Sequence, residues 1–215
     1  MSTLPAAPSG ASAPSTAPSP PQRRLRRVCV YCGSSNHIDE RYRAAARAMA
    51  GALLQRGIDL VFGGGRVGLM GELADAMLAG GGRVYGVIPQ KLMAHELGHL
   101  GCTELFVVEG MHARKMMMGQ LADAFVALPG GFGTLEELFE VTTWTQLRFH
   151  DKPVGVLNTD GFYDLLLAFI QQEHHQGFIR DLHKDLIHSE TDPGRLLDTL
   201  ARAELPSLEQ WITKV

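Results

Sequence analysis

The sequence contains no run of about 18 apolar residues, which a membrane-spanning helix needs, so we expect no membrane partner. Cysteine is also scarce: the chain has only Cys29, Cys32 and Cys102, an odd and sparse set, which argues against a disulfide-stapled secreted domain. The net charge of −3 argues against nucleic-acid binding, which needs a basic surface. These absences together indicate a cytoplasmic protein that binds neither membrane nor nucleic acid.

The spacing of Cys29 and Cys32 matches the CxxC pattern of redox and zinc sites, but it falls within a predicted strand. Residues i and i+3 of a strand point to opposite faces of the sheet. We therefore expect neither a disulfide nor a shared metal ion at these two positions.

The chain divides into a tail and one domain. Up to residue 22 it consists almost wholly of Ala, Ser, Pro, Gly and Thr, a composition that cannot bury enough apolar area to offset the entropy of ordering. We assign residues 1–26 to a disordered tail and residues 27–215 to a single domain, which is long enough for a sizeable core.

Short apolar runs alternate regularly with amphipathic helical patterns across the domain. This alternation predicts an α/β fold, a Rossmann-like doubly wound parallel sheet with helices on both faces. The predicted strands are residues 28–31, 58–62, 83–88, 105–108, 124–128 and 154–157. Helices are predicted for residues 40–56, 162–175, 193–203 and 207–212. Three more are predicted with one boundary only: one ends near residue 79, one begins near residue 111 and one ends near residue 148.

The most informative stretch is Pro129–Glu137, PGGFGTLEE, which follows a buried strand and opens a helix. Its glycines allow backbone N–H groups to approach an anion closely, and the helix N-terminus adds a favourable dipole. The hydroxyl of Thr134 is a further donor. The sequence therefore predicts a phosphate site in this turn, although Thr134 as a plain N-cap is the simpler alternative.

Charged side chains of both signs come to the same edge of the predicted sheet. Glu136 and Glu137 follow the glycine turn, and Arg114 and Lys115 begin the preceding helix. Ligands in such folds bind beyond the carboxyl ends of the strands, where these turns meet. A carboxylate near a sugar carbon stabilises an oxocarbenium-like transition state and can activate water, which makes Glu137 a candidate for N-glycosidic hydrolysis.

The motifs PGGFGTLEE, MHARK, CGSS, GGGRVGLMG and GVIP resemble those of the Lonely Guy (LOG) family, over roughly residues 28–191. That family hydrolyses cytokinin riboside 5′-monophosphates to the free base and ribose 5-phosphate, and is often labelled "possible lysine decarboxylase". The resemblance implies a homodimer that acts on a small-molecule nucleoside monophosphate without metal or other cofactor. It implies that Arg114 and Glu137 are the catalytic pair. It implies nucleotide contacts from Ser34, Glu96, Lys115, Gly130, Gly131, Gly133, Thr134, Glu136 and Thr143. Gly110 departs from the family pattern, where many relatives have Asp.

Other functions remain open at this point. His95–His99 is a literal HExxH, the zinc peptidase motif, but Pro89, Gly98 and Gly101 make a long ligand-bearing helix improbable. The segment 63–68 matches the GxGxxG dinucleotide fingerprint of an NAD-dependent oxidoreductase, but no acid ends the next predicted strand. A non-catalytic nucleotide-binding protein is the third alternative.

Overall fold

The apolar runs become strands, and each strand leads into a helix. A computed structural model describes residues 22–95 and 97–207. The strands are β1 Arg27–Tyr31, β2 Asp59–Phe62, β3 Val84–Pro89, β4 Glu104–Val108, β5 Ala124–Ala127, β6 Val154–Leu157 and β7 Ile187–Glu190. The α-helices are α1 Glu40–Gln55, α2 Gly68–Ala79, α3 Gln90–Ala94, α4 Met111–Leu121, α5 Phe132–Gln146, α6 Asp164–His175 and α7 Pro193–Arg202.

All seven strands form one parallel sheet in the order β4-β3-β2-β1-β5-β6-β7. β1 lies between β2 and β5, so the turns that follow β1 and β5 open towards the same crevice. To reach β5 the chain must return from the edge strand β4, and α4 makes this crossing while packing against β1, β2 and β3. The crevice between β1 and β5 is the topological switch point where ligands bind in doubly wound folds.

Alternate residues of β1 pack against helices on opposite faces of the sheet, as the sequence predicts. Val28 and Val30 join a buried cluster with α1, α2 and α7, whereas Cys29 and Tyr31 join a second cluster with residues of α4 and α5. Cys32 belongs to the first cluster, so Cys29 and Cys32 do lie on opposite faces. Both cysteines are free thiols. The Rossmann-like fold class is therefore confirmed.

The structure adds a strand where the sequence indicates only a short segment near residues 186 and 187. β7 is a seventh strand at the sheet edge, and its half-buried sequence Ile-His-Ser-Glu lacks the continuous apolar character of the central strands. α6 begins at Asp164, after a 3₁₀ turn at Thr159–Gly161, slightly later than predicted. The helix predicted for 207–212 lies outside the described residues, except for Ser207.

Residues 22–26, assigned to the tail, run along the domain, where the backbone N–H of Arg23 donates to Ala201 O at 2.7 Å and its side chain donates to Asp151 O. The remainder of the predicted tail, residues 1–21, lies outside the described residues. None of the helices within the described ranges has the length and apolarity that crossing a membrane requires.

Candidate active site

The turn between β5 and α5 presents unsatisfied backbone donors to the crevice. α5 begins at Phe132, and the N–H groups of Phe132, Gly133 and Thr134 have no hydrogen-bond partner among the described residues. A Cβ added at Gly130 would lie 2.1 Å from Thr134 Oγ1, so only glycine lets this turn close over the buried threonine. Free N–H groups at a helix N-terminus form an anion-binding site. This arrangement suits a phosphate monoester.

Three N–H groups of the turn between β2 and α2 already have partners within the protein. The N–H of Gly68 donates to Asn36 Oδ1 at 2.9 Å, and the N–H of Leu69 donates to Gly33 O at 2.9 Å. The N–H of Arg66 is bonded to Leu97 O at the same distance. A dinucleotide pyrophosphate needs such donors free, so the glycine spacing here serves packing rather than NAD binding. The turn forms a wall of the crevice.

A buried ion pair joins α4 to α5 beside the free donors. Arg114 Nη1 lies 3.4 Å from Glu137 Oε1, and the two side chains are only 11% and 9% exposed. The guanidinium group also contacts Met111 Sδ at 3.7 Å. The two residues that the sequence singles out as a catalytic pair are therefore brought together at the carboxyl edge of the sheet.

The environment of Glu137 keeps its carboxyl group close to the point of titration at neutral pH. Burial raises its pKa from 4.5 to about 7, while Arg114 opposes this rise and Glu136 adds to it. A carboxyl group with a pKa near the working pH both accepts and donates protons effectively. The structure thus gives Glu137 the properties of a general base or acid.

Lys115 lies next to Arg114 in the chain but is held by two carboxylates. Its Nζ donates to Glu136 Oε1 and to Glu140 Oε1, the latter at 2.9 Å. Burial acts to lower the pKa of Lys115, but these two hydrogen bonds outweigh it, so the pKa is raised. Lys115 is absent from the lining of the crevice, and its contact with a nucleotide stays a prediction.

The crevice encloses about 380 Å³, which is within the range of small-molecule sites. Of the residues predicted for the site, it is lined by Ser34, Arg114, Gly131, Gly133, Thr134, Glu136 and Glu137. Gly130 lies beneath the turn against Thr134, and Glu96 lies outside the described residues. Thr143 is exposed, is not part of the lining, and donates its hydroxyl to Phe139 O at 2.7 Å.

Sequence reasoning missed the apolar side of the crevice and its supporting glycine. It is lined by Met70, Ile88, Leu92, Leu97 and Met111. Four of these lie on four different helices and strands, and no pattern along the sequence shows that they converge. The glycine is Gly63, which lies against the guanidinium group of Arg114 on the distant helix α4.

The HExxH segment does not form the helix that a zinc peptidase motif needs. α3 ends at Ala94, so His95 and His99 do not occupy one helical face. Instead, His99 Nε2 pairs with Asp75 Oδ1 at 3.0 Å, and Gly98 forms an antiparallel bridge with Gly65. Within residues 22–95 and 97–207, no group of three potential ligands is placed to hold a metal ion.

The chain is similar to known proteins over most of its length. The family model described as "Possible lysine decarboxylase" matches residues 70–200. A cytokinin riboside 5′-monophosphate phosphoribohydrolase of Arabidopsis thaliana is 46% identical over 192 residues, which are 89% of this chain and 90% of the relative. One of Oryza sativa subsp. japonica is 52% identical over 166 residues, 77% of this chain and 69% of the relative.

Similar solved structures support the fold alone. The molybdenum cofactor carrier protein of Chlamydomonas reinhardtii is similar with a TM-score of 0.61 at 20% identity, covering 89% of this chain and all of that one. The molybdenum cofactor binding protein of Rippkaea orientalis has a TM-score of 0.62 at 20% identity, covering 81% of this chain and 94% of that one. At such identity the likeness extends to the sheet and its helices, not to the ligand.

Proposed function

Because this chain belongs to the LOG family of cytokinin riboside 5′-monophosphate phosphoribohydrolases, we propose that it hydrolyses the N-glycosidic bond of adenosine 5′-monophosphates, N6-modified or plain. The products are the free base and ribose 5-phosphate. The observation that carries the proposal is the buried Arg114–Glu137 pair beside the free N–H groups at the start of α5. A pyridoxal lysine, which the label "possible lysine decarboxylase" would require, is not indicated, since Lys115 is bound by two carboxylates and lies outside the crevice lining.

Binding of the 5′-phosphate at the α5 N-terminus orients the sugar. The N–H groups of Phe132, Gly133 and Thr134 would hold the phosphate, and the helix dipole favours its charge. The anomeric carbon then comes to the Glu137 carboxylate, which lies one helical turn further along α5. Binding energy gained at the phosphate, remote from the bond that breaks, holds the substrate in the reactive position.

Glu137 acts in its ionised form. As the C1′–N bond breaks and the base departs with the bonding electrons, positive charge builds on the ribose, and the carboxylate stabilises it. Glu137 accepts a proton from the water whose oxygen bonds to C1′, and solvent protonates the departing base. Arg114 keeps the carboxylate oriented and favours its ionised form. No step requires a metal ion or an organic cofactor.

Two further properties belong to this proposal. Exposed apolar side chains on and beside α4 and α5 suit contact with a second copy of the chain, and a homodimer would cover Met116, Phe139, Leu147 and Phe149. The unpaired thiols of the described cysteines are consistent with a reducing, cytoplasmic location. Light scattering of the purified protein should give the dimer mass, and Phe149→Glu should shift it towards the monomer.

Product analysis tests the hydrolase activity. The full chain is incubated separately with AMP and with N6-isopentenyladenosine 5′-monophosphate, and base and ribose 5-phosphate are separated by chromatography. We expect both products in equal amounts from at least one substrate. Glu137→Gln should reduce the rate at least 100-fold, because it removes both the negative charge and the proton acceptor.

Glu104→Gln is the matched control, since Glu104 is exposed on the edge strand β4. It should keep the full rate. Binding of ribose 5-phosphate, measured by calorimetry, should be similar in the wild type and in Glu137→Gln, because the phosphate donors are unchanged. Nucleotide binding without any cleavage by the wild type would instead indicate a non-catalytic nucleotide-binding protein.

A further inference from the structure

Gly63 lies directly after β2, at the floor of the crevice, where the guanidinium group of Arg114 lies against it. A Cβ atom built on Gly63 would be 1.8 Å from Arg114 Nη2 and 2.9 Å from Arg114 Cζ. Real Cβ contacts do not approach below 3.0 Å, so any side chain at this position must displace the guanidinium group. Gly63 is not among the described glycines with positive φ, so its backbone does not itself require glycine.

Few other contacts fix the guanidinium group. Its distance of 3.4 Å to Glu137 Oε1 and of 3.7 Å to Met111 Sδ are both long, and Arg114 Nε is buried without a partner among the described residues. Short hydrogen bonds donated to neighbouring side chains therefore do not determine its position. Packing determines it, and the guanidinium group occupies the space that a side chain at position 63 would fill.

We propose that Gly63 is a positioning residue for hydrolysis: the space left by its missing side chain holds the Arg114 guanidinium group against Glu137. This inference rests on the proposed function only in that Arg114 and Glu137 carry the reaction. The neighbouring glycines differ from Gly63. Gly64 has φ +72°, which requires glycine for the backbone itself, and a Cβ at Gly65 would meet the flexible end of Met70.

Moving the guanidinium group changes the charge balance around Glu137. Arg114 favours the ionised carboxylate, so its displacement raises the pKa of Glu137 further. The other groups that face this carboxyl are Lys115 on α4, Glu136 and Glu140 on α5, and Cys29, Tyr31 and Cys32 on and after β1. The three atoms nearest to a Cβ at Gly63 belong to Arg114 and to the uncharged Met70, so a change in the titration of Glu137 reports on Arg114.

Gly63→Ala tests the proposal, with Gly51→Ala as the matched control. Gly51 lies in α1, and a Cβ there meets nothing within 4 Å. Because the atoms displaced in Gly63→Ala are the far end of a flexible side chain, the variant should fold and keep the wild-type circular dichroism spectrum. We expect kcat to fall roughly 10- to 100-fold, with KM changed only a few-fold, since a misplacement of about 1 Å has this effect.

The titration of Glu137 gives a readout that does not depend on turnover. Carbon-13 NMR of labelled glutamate, assigned with Glu137→Gln, follows its ionisation in wild type, Gly63→Ala and Gly51→Ala. The midpoint should move to higher pH in Gly63→Ala alone. In an Arg114→Ala background, Gly63→Ala should cause no further change, because the group through which it acts is gone.

A wild-type rate and midpoint in Gly63→Ala would overturn the proposal. So would an equal effect of Gly63→Ala with and without Arg114, which would indicate a general structural role. If the wild type cleaves no nucleotide, the proposed function fails, yet the Glu137 titration still decides whether Gly63 positions Arg114.

Discussion

Replacing Glu137 with Gln should stabilise the folded protein at pH 8 while it abolishes hydrolysis. Burial raises the pKa of this carboxyl from 4.5 to about 7, against the opposing effect of Arg114. At a pH between these two pKa values, Glu137 keeps its proton in the folded chain but has lost it in the unfolded chain. The free energy of unfolding therefore falls as the pH rises from about 4.5 to about 7, and it stays lower above that.

The magnitude follows from the same two values. A pKa raised from 4.5 to about 7 corresponds to about 3 kcal/mol of lost stability once the carboxyl is ionised. Gln has nearly the shape of the protonated acid and carries no charge, so it avoids this loss. We expect Glu137→Gln to increase the free energy of unfolding by about 2 to 3 kcal/mol at pH 8 and to change it little at pH 4.5.

Urea unfolding at pH 4.5, 6 and 8, followed by circular dichroism, measures these differences for the full chain. Glu104→Gln is the control, because the same chemical change at an exposed strand position should alter stability by less than about 0.5 kcal/mol. If Glu137→Gln gave the same change at every pH, or destabilised the protein at pH 8, the electrostatic account of this carboxyl would be refuted.

Three further substitutions test separate parts of the site. Gly130→Ala, whose Cβ would lie 2.1 Å from Thr134 Oγ1, should deform the phosphate turn and weaken ribose 5-phosphate binding in calorimetry at least 10-fold; unchanged binding would contradict the phosphate assignment. Lys115→Met removes a cation that lowers the pKa of Glu137, so the acid limb of kcat/KM should move to higher pH, and no movement would count against this coupling. Thr143→Ala should leave kcat and KM within about two-fold, because Thr143 lies outside the crevice lining; a larger loss would support the nucleotide contact that the family resemblance implies.

The fold was largely predictable because the central strands are short continuous apolar runs. A run such as Ala124–Leu128 is buried on both faces of a parallel sheet, and this leaves a clear signal in the sequence. β7 was not predictable in the same way, because Ile187–Glu190 has one strongly apolar residue and lies at the edge. Its strand conformation depends on pairing with β6, which is a tertiary interaction.

The site was predictable where it depends on local chain geometry. A glycine turn between a buried strand and a helix favours free N–H groups at the helix start, and the turn before α5 has them, so this feature could be predicted. Contacts between separate helices and strands could not be predicted from the sequence. Nothing in the sequence indicates that Arg114 lies against Gly63, or that Lys115 turns towards Glu136 and Glu140 and away from the crevice.

The long return of the chain through α4 has a consequence for how the protein acquires activity. β1 to β4 form one side of the sheet in simple succession, whereas β5 to β7 form the other, and Arg114 and Glu137 meet across the seam between them. A partly folded chain in which only one side of the sheet has formed has only one of these two residues in place. Non-local pairing of this kind is completed late. Recovery of nucleotide cleavage after dilution from urea should therefore lag behind recovery of helical signal, which makes cleavage a measure of complete assembly.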